Sequence, residues 1–382
     1  MLNKTKKRLD YVDWAKAISI TLIVMGHMLP SGCWPKTLAY AFHVPAFAFV
    51  GGLLFSAPRS FSGVGKKLLN ILKRMVIPYL IWFSITVSFY WKAAEEMPNI
   101  VKGTATTEFL QLFKYFVFYE KVTAWNDPLW FMPCYIIISV FFLLFVTLTK
   151  GNRYASGALS ALSFTILIVH EKLEVSINAG EIKNVFGINN YFLLLGFLAA
   201  GYAIKPLLDL CANAFSSPKR NPIMYSSIAV FLVTACLCLG HNKLEVPNSN
   251  LTEYYTLSMY SCLYNGFLEY ILFALVLIVS LLLALMLLPR CKVVELLSRN
   301  SLFLMFTHYF FFLDITFSWL KGAEWAEFMV KNEMLYWELD FSIGIRDGIF
   351  IMVCYVIFLY LVDALLKKLP KLKPVMGLFG LQ

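Results

Sequence analysis

Runs of about twenty apolar residues recur along this chain, and a run of that length is what an α-helix needs to cross the hydrocarbon of a bilayer. Ten such segments fall at approximately residues 14–30, 37–56, 73–91, 128–149, 155–170, 189–208, 223–240, 263–288, 300–320 and 345–366. The segment at 155–170 is short for a crossing. Of 382 residues 59% are apolar and 15% charged, against roughly 25% charged in a typical soluble domain. A soluble fold has too little interior to hide that much apolar surface. Backbone groups in lipid must be satisfied within the segment itself, so helices are the expected element. The expectation is an all-α integral membrane protein of about ten transmembrane helices. No internal repeat, low-complexity tract or long linker divides it, so residues 1–382 read as one multi-pass domain.

The charges test the topology. Basic residues gather in alternate connections: Lys4 to Arg8, Arg59 with Lys66, Lys67, Lys73 and Arg74, Lys150 with Arg153, Lys205 with Lys219 and Arg220, Arg290 with Lys292 and Arg299, and Lys367 to Lys373. The other connections carry the acids, from Glu95 to Glu338. This is the positive-inside pattern, and it places both termini in the cytoplasm. The net charge of +10 therefore reports orientation in a plasma (inner) membrane. No basic groove interleaved with aromatics suggests nucleic acid. The eight cysteines are scattered, with no spacing for a redox pair or a metal knuckle, and read as small apolar residues. The stretch "LPSGC" hints at lipoprotein cleavage before Cys33, but Asp10, Asp13 and Pro30 disfavour a signal peptide. Two outer stretches, 104–121 and 321–340, read as surface segments; the first aligns Phe109, Phe113 and Phe116 on one helical face.

Ionisable groups inside a bilayer are costly and mark function by default. The first span holds Lys16 near its inner end and His27 eleven residues on, about 16 Å higher and close to three turns away. Both side chains therefore share nearly one face. The second span carries His43 at a similar depth, and the short connection from Pro30 to Lys36 makes the two spans antiparallel neighbours. Pro45 and Gly51–Gly52 thin or loosen that helix. His308 follows "LLSRNSLFLMFT" in the ninth segment. Each has an ordinary reading beside the functional one: Lys16 as a snorkelling cation, the histidines as structural hydrogen-bonding groups, the glycines as packing. Glu269, Asp314, Arg346 and Asp347 are further boundary charges, readable as ion pairs whose partners the sequence does not choose. No GxSxG elbow, P-loop, HExxH or dinucleotide turn is present.

Several stretches, in order, resemble the membrane acyltransferase-3 family, particularly its fucose 4-O-acetylase-like branch. They are "LDYVDWAKAISITLIVMGH", "FHVPAFAFVGG", "KRMVIPY", "PLWFMPCY" and the late "SRNSLFLMFTHYF". The first contains an Asp, a basic residue three later, and a His after ten intervening residues. Where many members carry Arg, this chain has Lys16, which keeps the charge and loses the planar fork. Gly51–Gly52 stands where Ser-Gly is usual. The resemblance implies transfer of an acyl group, usually acetyl, from cytoplasmic acyl-CoA to a hydroxyl of a cell-surface or lipid-linked saccharide. The donor is then a substrate, with no permanently bound cofactor and no metal. His27 is the implied base or transient acyl carrier, its ordinary pKa of ~6.5 suiting proton transfer. His43 and His308 are implied to orient it or polarise the thioester. Lys16, with Asp13 one turn before it, is implied to attract the donor's phosphates, and Lys73 and Arg74 to contact its nucleotide part; positive-inside anchoring explains those last two as well.

Three rival readings remain. A glycolipid or polysaccharide transporter or flippase predicts an internal repeat and a polar through-path. A membrane-bound O-acyltransferase of the other large family places its key histidine late, favouring His308. A non-enzymatic sensor leaves the His27–His43 pairing without a role.

Overall fold

A computed structural model describes residues 10–29, 33–58, 60–96, 127–177, 188–214, 220–244, 254–255, 266–308 and 341–381. The stretches 104–121 and 321–340, and Asp314, lie outside them. The described helices are α1 (Asp10–Met28), α2 (Trp34–Leu54), α3 (Phe61–Ile71), α4 (Ile77–Glu96), α5 (Phe131–Leu148), α6 (Arg153–Ile177), α7 (Ile188–Ala214), α8 (Arg220–His241), α9 (Phe267–Leu285), α10 (Lys292–Arg299), α11 (Ser301–Thr307), α12 (Phe341–Lys368) and α13 (Lys373–Leu378). One short antiparallel pairing, β1 (Lys243–Leu244) with β2 (Tyr254–Tyr255), accompanies them.

Among the described residues, seven helices are long and apolar enough to cross a membrane. Seven of the expected spans thus meet the length and composition of a crossing helix among the described residues. Helices α1 and α6 run the required length but carry more polar residues. The expected span at 300–320 is described only as far as His308. The third span starts earlier than 73. Ser60 caps α3 by accepting from the Gly63 amide at 3.2 Å, and the helix continues through a π-turn at Leu72–Val76 into α4. Lys66, Lys67, Lys73 and Arg74 therefore ride on a continuous helix rather than in a loop. Long alkyl stems let such cations reach water from a helical backbone.

Packing fixes where α2 sits. A Cβ added to Gly52 would strike the carbonyl of Leu198, and one added to Gly201 would strike the carbonyl of Phe49. The backbones of α2 and α7 cross in direct contact there, which only glycine permits. In a membrane, where lipid is as apolar as leucine, such close approach is a main source of helix association. Phe49, Phe142, Phe197 and Leu198 fill the buried core around the crossing. Arg153 lies 3.7 Å over the Tyr202 ring and donates to the Tyr202 carbonyl, so this cation in the first turn of α6 braces α6 on α7.

The two ends of the bundle follow from the hydrogen bonds. At one end the start of α1 meets α10, which ion-pairs with the end of α12. At the other end the α1–α2 connection closes by Lys36 donating to the Leu29 carbonyl at 3.1 Å. There Tyr270 of α9 donates to the Tyr40 carbonyl at 3.3 Å, and Glu171 of α6 accepts from the Phe267 amide at 3.0 Å. A carboxylate at the first turn of α9 complements the helix dipole.

Candidate active site

The second end of α1 carries the histidines. The His27 ring lies 5.2 Å from that of His308 and 6.3 Å from that of Tyr40; the Tyr40 ring lies 4.9 Å from that of His43. Three helical segments thus bring Tyr40 against both His27 and His43, and His308 against His27. Antiparallel packing of α1 on α2 does the first half of this. Helix α11 does the second by delivering His308 at its C-terminal end.

Two of the rings are held in one orientation. His43 Nδ1 lies 2.5 Å from the Ala39 carbonyl oxygen, and His308 Nδ1 lies 2.9 Å and 3.1 Å from those of Leu304 and Met305. A carbonyl only accepts, so each Nδ1 is the protonated nitrogen and each Nε2 keeps its lone pair. Both residues are buried, and Nε2 of His308 meets no hydrogen-bond partner among the described residues. Below it, Thr307 and Tyr355 share a hydrogen bond of 2.8 Å that ties α11 to α12. His27 is partly buried. Lys36 sits 5.5 Å from the Tyr40 ring centroid and brings a positive charge to the rim. No group of three or more His, Cys, Asp or Glu side chains among the described residues is arranged to hold a metal ion.

The first end of α1 carries the polar pair. Lys16 Nζ donates to the Ser298 carbonyl at 2.7 Å, and Ser298 Oγ donates to Asp13 Oδ1 at 2.6 Å. Trp14 adds a hydrogen bond of 3.0 Å to the Pro289 carbonyl. Asp13 and Lys16 thus converge on one residue of α10, and that short helix is seated against the first turns of α1. Lys73 and Arg74 are exposed on the π-turn. Of the boundary charges, Arg346 is exposed and Glu269 stands in the first turn of α9.

Sequence reasoning grouped His27 with His43 and named Lys16, Asp13 and His308. It missed Tyr40 and Ser298. Both had a signal: Tyr40 lies one helical turn before His43, and Ser298 opens the quoted "SRNS" motif.

The arrangement offers imidazole nitrogens at one end of α1 and the Lys16 cation, braced by α10, at the other. Proton abstraction from a hydroxyl needs the first; attraction of an anionic substrate needs the second. Neither a curated protein nor a solved structure matches the chain. A family model described as an acyltransferase domain matches residues 9–339, a stretch that contains both ends of α1, the glycine crossing and His308. The multi-pass helical chain therefore belongs to the acyltransferase-3 family, and it is an enzyme that transfers acyl groups other than aminoacyl groups.

Proposed function

We propose that the protein moves an acyl group, acetyl in the first instance, from cytoplasmic acyl-CoA to a hydroxyl of a cell-surface or lipid-linked saccharide, within the plasma membrane. The observation that carries this reading is the chain of rings in which His27 lies against His308 on one side and against Tyr40, itself beside His43, on the other.

In this reading the acceptor's hydroxyl oxygen attacks the thioester carbonyl carbon while a ring nitrogen of His27 takes its proton. The carbon–sulfur bond breaks, the ester forms, and the proton passes to the departing thiolate to give free CoA thiol. Atoms and charge balance without a further reactant. His308 and His43, each with Nδ1 engaged by a main-chain carbonyl, keep Nε2 as an acceptor for hydroxyl or imidazole hydrogens. General-base catalysis of this kind contributes on the order of 10²–10⁴ in rate. Lys16 holds donor phosphates at the basic end of α1, with Asp13 and Ser298 fixing its position; Lys73 and Arg74 add positive charge along the same side.

The test uses purified full-length protein in liposomes with acetyl-CoA and saccharide fractions from the host envelope. Saccharide-dependent release of CoA thiol, lost in His27→Ala, is the expected result. Thiol release at the rate of protein-free liposomes overturns the reading, as does full activity of a folded His27→Ala variant.

A further inference from the structure

We infer that Lys292, Arg299 and Lys367, gathered around Asp363, form the seat for the 3′-phosphate of the acyl-CoA donor. The inference rests on the donor assigned above. Lys292 opens α10 and Arg299 closes it, seven residues later, which is two turns and puts both on one face. That face meets α12. Arg299 Nη2 lies 2.9 Å from Asp363 Oδ1; Lys292 Nζ lies 3.5 Å, and Lys367 Nζ 2.9 Å, from Asp363 Oδ2.

A single carboxylate neutralises a single cation, and here it faces three. An ion pair that merely fastened α10 to α12 would be complete with Arg299 alone. The excess positive charge gives this patch a positive potential that attracts an anion. The donors are there to receive one. An ammonium has three N–H groups and a guanidinium five, and Asp363 engages only a part of them. Asp363 is nearly covered at 12% exposure, while Lys367 and Lys292 are 70% and 41% exposed, so the open side of the cluster is cationic. The neighbouring Arg290 is occupied by Glu295 at 2.6 Å and does not add to it.

Position selects the source of the phosphate. Arg299 directly follows Ser298, which holds Asp13 and Lys16. The cluster therefore adjoins the basic end of α1, with His27 about three turns away along that helix. A donor with its thioester at the tip of a long flexible arm and a phosphomonoester on its nucleotide matches this order of groups: imidazole, lysine, cationic cluster.

The experiment compares acetyl-CoA with acetyl-dephospho-CoA, which lacks only the 3′-phosphate, on the full chain in liposomes. The native protein should show a KM for acetyl-CoA lower by roughly tenfold, the worth of one charge-assisted contact. In the double variant Lys292→Ala with Lys367→Ala that preference should collapse, and Lys292→Arg with Lys367→Arg should restore it. Lys371→Ala, at the same end but outside the cluster, should retain the preference. A native protein that treats both donors alike overturns the proposal, as does a double variant that keeps the preference or one whose KM rises equally for both. A defect in the double variant that follows the anionic-lipid content of the liposomes, whichever donor is used, identifies lipid head groups as the ligand and overturns it too. Failure of the native protein to use either donor overturns the donor assignment itself, a result distinct from all the others.

Discussion

The two ends of α1 are built on opposite principles. At the His27 end the polar groups are imidazoles and a tyrosine with Lys36 beside it, set among buried apolar residues, and two of the rings are steered by main-chain carbonyls. At the Lys16 end they are full charges, cross-braced between helices and open to water on one side. A group that exchanges protons gains from a dry and fixed setting, because nothing must reorganise as charge develops. A group that captures a charged substrate gains from exposure, because the field must reach into solution. The contrast predicts that damage at the first end lowers kcat and damage at the second raises KM for the donor.

Removing the central imidazole breaks the comparison most severely. His27→Ala should lower kcat by about 10²–10⁴ while the protein remains folded in the membrane, as read by thiol release and by size-exclusion chromatography in detergent. Next comes the scaffold of the His43 helix. Gly201→Val should destabilise the α2–α7 crossing by more than about 1–3 kcal/mol, since it must displace backbone rather than a side chain; thermal unfolding in detergent measures this. Lys16→Ala follows, with donor KM raised on the order of tenfold and kcat nearly unchanged; a fall in kcat alone would move Lys16 to the catalytic end. The smallest effect belongs to Ser298→Ala. It removes the Asp13 hydrogen bond but leaves the carbonyl that receives Lys16, so a loss of about 1 kcal/mol, a few-fold in donor KM, is expected.

Much of this was legible in the sequence because it depends on local rules. Apolar runs of helical length mark the spans, and a short connection forces α1 and α2 side by side, so His27 and His43 come to flank Tyr40. The start of the third span escaped because its basic residues look like a loop; a capping serine at position 60 and unbroken helical backbone make that stretch a helix instead. The count of ten rested on segments such as α1 and α6, whose polar residues lower their apolarity. What lay beyond reading is tertiary. Arg299 and Asp363 are 64 positions apart, and nothing in either neighbourhood announces the other. His308 was singled out by motif, but its 5.2 Å approach to His27 is set by how α11 seats on α1.

The Asp13–Ser298 hydrogen bond joins residues 285 positions apart. A ribosome adding roughly 5–20 residues per second delivers the second partner tens of seconds after the first. Until then the opening helix waits in the bilayer with its lysine and carboxylate unclaimed by α10, and the enzyme acquires its basic mouth only late in its own synthesis.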